Sequence, residues 1–213
     1  MKTDDLVLLL AADAGRVDTS ALSRAIWLAA AFALAATAAL VLATLGARAH
    51  MPAVLATAPV LAKLALGGAV SALALTAYDR SLRPGRADRR RLLFVLLPIA
   101  MVVFAALVAL GQAPLGDWPA LTFGRTWRAC LIAIPAYGLA PLGVLLALAR
   151  RAAPIDLRLT GAAAGLASAG VATMAYSLHC PEDALPFVAS WYPVGMIVTA
   201  IIGALIAPKL IRW

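Results

Sequence analysis

Six stretches of about 20 predominantly apolar residues run along this chain, each long enough to cross a bilayer. They fall at residues 25–47, 54–78, 92–111, 129–149, 157–178 and 191–210. Hydrophobic residues make up 64% of the 213 and charged residues only 13%. Soluble domains are about half apolar, and a chain this short cannot enclose the surplus in one core. A bilayer absorbs it. In lipid every backbone N–H and C=O must be paired within the segment, so the stretches are expected to be helices. The expected fold is all-α: a six-helix transmembrane bundle over residues 25–213, preceded by a short cytoplasmic N-terminal helix within residues 1–24. The second and sixth spans are the least sharply drawn, because Pro59 and Lys63 lie in one and Pro193 in the other. No cleavable leader is expected, since the segment before the first span carries four acids.

The formal net charge is +8, but its distribution argues against a nucleic-acid surface. Basic residues sit in short segments between apolar runs. Fourteen fall on one side: Lys2, Arg16, Arg24, Arg80, Arg83, Arg86, Arg89, Arg90, Arg91, Arg150, Arg151, Arg158, Lys209 and Arg212. Four fall on the other: Arg48, Lys63, Arg125 and Arg128. The positive-inside rule then places both termini in the cytoplasm. Trp27, Trp118, Trp127, Trp191 and Trp213 lie near span ends, where interfacial indoles belong.

Gly161, Gly165 and Gly170 crowd the fifth span and allow close helix approach, within the chain or between copies. Oligomeric state is not legible. Pro98, Pro135 and Pro141 predict kinks in spans three and four.

Residues 1–24 are the one sizeable polar piece. Thr3 is a candidate N-cap, Asp4 and Asp5 suit the first helical turn, and Gly15 is a candidate stop. Between them Leu6, Leu9 and Leu10, with Val17 beyond, share an apolar face, and Asp13 adds a further acid. So short a helix is marginal alone in water and is expected to order against something. Helices that lie on membranes usually carry Lys and Arg on the polar face. This one is acidic, which favours a basic protein partner over lipid.

Cys130 opens the fourth span and Cys180 closes the fifth, on the same side and at similar depth. Around the second cysteine the chain reads Ser177-Leu178-His179-Cys180-Pro181-Glu182-Asp183. Cys130, His179, Cys180, Glu182 and Asp183 therefore form a candidate set for a soft or borderline metal. A disulfide is the other reading, requiring Cα atoms within ~7 Å. No standard zinc spacing is present, and buried thiols also serve as small hydrophobes. Arg125 and Arg128 are expected to pair with Glu182 and Asp183, to lower the thiol pKa if close in space, or to touch headgroups. Lys63 is expected to snorkel to the interface, with pairing to Glu182 or Asp183 as the alternative.

The opening Met1-Lys2-Thr3-Asp4-Asp5-Leu6 with Leu9-Leu10-Ala11-Ala12-Asp13, the six spans and the segment Leu178-His179-Cys180-Pro181-Glu182 together resemble the NrsF-like family of polytopic anti-sigma factors. The resemblance implies that the tail holds an extracytoplasmic-function sigma factor at the membrane, through Thr3, Asp4, Asp5, Leu6, Leu9, Leu10 and Asp13. It also implies that Cys130 and Cys180 sense heavy-metal or oxidative stress and trigger release. No cofactor is required under that reading, a heavy-metal ion being at most the signal.

A small transporter or channel is the alternative. It needs polar groups along a pathway, and the spans offer Lys63, scattered Ser and Thr, and no deep acid. A thiol oxidoreductase would want a Cys-x-x-Cys, which is absent, and no other catalytic motif appears. The chain is not expected to be an enzyme.

Overall fold

The computed structural model describes Thr3, Asp5, Val7 and residues 20–83, 85 and 89–211. Among these residues the chain is helical, without strands: α1 Ala21–Leu45, α2 Met51–Val54, α3 Ala58–Ser81, α4 Arg89–Leu93, α5 Leu96–Gln112, α6 Trp118–Phe123, α7 Trp127–Ala149, α8 Leu157–Tyr176 and α9 Leu185–Leu210. A 3₁₀ turn, Leu115–Asp117, precedes α6. The spans are α1, α3, the α4–α5 pair, α7, α8 and α9, so the expected six-helix architecture is present.

Proline chemistry explains where the ends differ from the apolar runs. Pro59 and Pro186 sit in the first turns of α3 and α9, where a missing N–H costs nothing. The sixth span therefore begins well before residue 191, and Pro193 is accommodated inside it. Pro98 cannot donate to the Phe94 carbonyl, and the third span breaks there into α4 and α5. Leu97 N–H takes the Phe94 carbonyl instead, at 3.1 Å. Helix α7 continues through Pro135 and Pro141.

The fifth span, α8, is the central helix, with 14 of its 20 residues buried. It packs against α1, α3, α7 and α9. A helix surrounded on all sides must be thin, which is what its Ala and Gly content provides. A Cβ on Gly165 would lie 2.5 Å from the Thr199 carbonyl oxygen in α9, and one on Gly170 would lie 2.5 Å from the Gly67 carbonyl oxygen in α3. Gly161 meets the Gly203 backbone more closely still. The small-residue stripe is thus spent on packing within the chain. Asp156 caps α8 by accepting the Leu159 N–H at 3.0 Å.

By contrast α1 is peripheral. Only Ile26, Ala33, Thr37 and Val41 of its 25 residues are buried. A cavity of about 210 Å³ lies beside it, lined in part by Trp27, Ala30, Leu34, Ser71 and Met174. Polar contacts hold α1 near its two ends. At the first end Ser23 Oγ donates to Asp79 at 3.0 Å and receives Arg83 at 2.6 Å. Near the other, Thr44 Oγ1 and Tyr137 Oη are 2.6 Å apart.

Candidate functional site

Alternation of the spans brings Arg48, Lys63, Cys130, Cys180, Glu182 and Asp183 to one end of the bundle. The turn after α8 is the centre of this arrangement. His179 and Cys180 both donate backbone N–H groups to the Tyr176 carbonyl, at 2.9 and 3.0 Å, closing the helix. From there the segment to Asp183 is bound on three sides.

On the α1 side, the Arg48 N–H donates to the Leu178 carbonyl at 3.2 Å, and His179 Nδ1 lies 3.0 Å from the Gly46 carbonyl. The Arg48 guanidinium grips Asp183 with both fork nitrogens, at 3.0 and 2.8 Å, and reaches the Cys180 carbonyl at 3.3 Å. On the α3 side, Lys63 Nζ donates to Asp183 Oδ1 at 2.8 Å and to the same Cys180 carbonyl at 3.3 Å. On the α7 side, Glu182 accepts the Arg125 backbone N–H at 2.7 Å and the Thr126 hydroxyl at 3.4 Å. Gly124 makes this possible: its φ is +53°, and a Cβ there would lie 2.7 Å from Glu182 Oε2.

Lys63 is fully buried, with a side-chain exposure of 0%. The snorkelling expectation is therefore wrong, and pairing with Asp183 replaces it. An ammonium out of water needs a counter-charge and acceptors, and this one has both. The bidentate Arg48 bonds are the largest cause holding the Asp183 carboxyl down at about 2, with burial opposing and Lys63 assisting. The same bonds raise the Arg48 guanidinium above its ordinary value.

Both cysteines are fully buried free thiols. Cys130 in α7 and Cys180 in the turn after α8 lie at the same end of the bundle. Tyr192 Oη, also buried, has no hydrogen-bond partner among the described residues. The wider metal set is not assembled. Glu182 and Asp183 are committed to the Arg125 peptide and to the two cations, and His179 Nδ1 to the Gly46 carbonyl. Among the described residues no three His, Cys, Asp or Glu side chains gather as ligands.

Arg125 contributes its backbone rather than its guanidinium to Glu182, and Arg128 stacks over Trp127 with its guanidinium carbon 5.2 Å from the ring centroid. Trp127 packs on Trp191 at 4.7 Å, and Trp191 Nε1 donates to the Thr122 carbonyl at 2.9 Å. Of the tail residues singled out, Thr3 and Asp5 are helical and exposed, as is Val7. Asp4, Leu6, Leu9, Leu10 and Asp13 lie outside the described residues.

The family model for NrsF, the negative regulator of sigma F, matches residues 10–213. The chain belongs to the NrsF family. The NrsF family is regulatory. A probable anti-sigma-F factor NrsF of Azospira oryzae is 33% identical over 214 residues, covering 100% of both chains. The anti-sigma-F factor NrsF of Caulobacter vibrioides is 35% identical over 223 residues, again with 100% of both chains covered. No solved structure matches this NrsF-family chain. The sequence resemblance thus holds at family level.

Sequence reasoning named Lys63, Glu182 and Asp183 but missed Arg48 as the main partner of Asp183. A usable signal was present. Arg48 follows Gly46, whose φ of +79° ends α1, and it is one of four basic residues on the side that carries Asp117, Glu182 and Asp183.

Proposed function

We propose that this chain is a membrane-held anti-sigma factor. Residues 1–24 bind an extracytoplasmic-function sigma factor on the cytoplasmic face of a bacterial inner membrane, with both termini inside. The observation that carries the reading is the full-length match to two NrsF proteins named as anti-sigma-F factors. The acidic, apolar tail supports it: Thr3, Asp4, Asp5, Leu6, Leu9, Leu10 and Asp13 offer acids and leucines that suit a basic partner. The chain binds lipid around its spans and does not itself touch nucleic acid.

Cys130 and Cys180 are the sensor in this proposal. Capture of one soft divalent ion exchanges two thiol protons for the metal and leaves the site neutral. Oxidation joins the two sulfurs, releases two protons and passes two electrons to the oxidant. Either event shortens and stiffens the link between α7 and the α8 turn. The signal ion is the only metal invoked.

The test is capture of candidate sigma factors by the full-length protein in lipid nanodiscs, with a variant lacking residues 2–14 alongside. Capture that disappears with the deletion supports the assignment. Absence of capture by the full-length protein overturns it and restores the transporter reading.

A further inference from the structure

A buried lysine in a span usually signals function, and here the thiol-sensor reading alone does not use it. Arg48 and Lys63 converge on two atoms groups of one turn, the Asp183 carboxylate and the Cys180 carbonyl. They come from different elements: Arg48 from the loop directly after α1, Lys63 from within α3. The Cys180 peptide is therefore fixed to α3 and to the loop that follows α1, neither of which carries a thiol. Both cations are held on the Asp183 side of the turn, while the Glu182 carboxylate beside it is bound by the Arg125 N–H and the Thr126 hydroxyl.

One of those helices has a further property. Helix α1 is peripheral, with four of its 25 residues buried, a cavity beside Trp27–Leu34 and polar contacts near its ends. Its far end leads directly into residues 1–19. A displacement of the Cys180 turn is passed by the Arg48 fork and the Leu178 and Gly46 carbonyl contacts to the near end of this helix.

We propose that Arg48 and Lys63 are the positioning residues of the thiol pair, fixing the Cys180 turn to α1 and α3 so that a change at the thiols reaches the N-terminal segment through α1. This rests on the thiol-sensor reading, and the test separates the two.

Full-length protein in nanodiscs is examined as wild type, Arg48→Gln, Arg48→Lys and Lys63→Met, with cadmium ion alone as the probe. Three readouts are taken: hydrogen exchange over residues 178–183, the cadmium–thiolate charge-transfer band, and release of a bound sigma factor. Arg48→Gln and Lys63→Met are expected to speed exchange in that turn and to weaken cadmium affinity by about tenfold through lost alignment. Arg48→Gln should also abolish release while leaving capture intact, and Arg48→Lys should recover part of each effect. Unchanged exchange in Arg48→Gln and Lys63→Met overturns the proposal. So does faster exchange with a wild-type cadmium response and release. If wild-type protein shows no cadmium band and no release, the thiol-sensor reading fails, and with it the signalling role of these residues. The exchange data then still report whether they hold the turn.

Discussion

Replacing Gly165 by alanine should loosen the bundle at its centre, and the size of the effect follows from the geometry. The new methyl carbon would lie 2.5 Å from the Thr199 oxygen and 2.7 Å from the Ala200 Cα, both backbone atoms of α9. Ordinary contacts need about 3.5 Å, so α8 and α9 must part by roughly 1 Å. A gap of that size forfeits up to half of each ~0.1–0.2 kcal/mol atom contact. Over on the order of 20–40 contacts along the shared face, the loss is about 2–3 kcal/mol, within the usual range for overpacking. The gain in helix propensity from Gly to Ala offsets up to ~1 kcal/mol. The net expectation is a destabilisation of about 1–2 kcal/mol. Gly143→Ala is the control, because a Cβ there meets nothing within 4 Å. Thermal unfolding in detergent, followed by circular dichroism, compares the two variants. Equal stability of Gly165→Ala and Gly143→Ala would refute the packing argument.

Further outcomes follow from the site. Replacing both Cys130 and Cys180 by serine should leave sigma-factor capture intact and abolish release by cadmium or diamide in the nanodisc assay. Gly124→Ala forces a side chain into positive φ against Glu182 and should cost about 1–3 kcal/mol in thermal unfolding. Asp183 has its folded pKa depressed from 3.8 to about 2, so its pairing stabilises the turn fully above about pH 4 and fades as pH falls toward 2. Hydrogen exchange over residues 178–183 should therefore accelerate below pH 4 beyond the intrinsic change in wild type. In Asp183→Asn it should already be fast, without that extra acid dependence.

Much of the fold was legible because membrane spans are written in length and apolarity alone, and six runs became six spanning helices. The ends were less legible, since a proline reads as an interruption yet fits the first turn of a helix, as Pro59 and Pro186 do. Pro98 acted through its partner four residues back, which placed the break at Phe94–Val95 rather than at the proline. The stripe Gly161, Gly165 and Gly170 announced close packing, but only the bundle shows which helices it receives. At the site, composition already paired Lys63 with an acid as an alternative. Its choice of Asp183, and the dominance of Arg48, depend on a contact between residues 135 apart in the chain. Such a contact is made by helix packing and leaves no local trace. The five-residue metal set does not gather among the described residues, because neighbours in sequence turn toward different elements.

The central claim is that this NrsF-family chain holds a sigma factor and lets it go when its thiols react. The most direct measurement loads the full-length protein, in nanodiscs, with its captured sigma factor and follows dissociation on adding cadmium ion. The account predicts release from the wild-type protein and retention by the Cys130→Ser, Cys180→Ser double variant. Release from both, or from neither, would contradict it.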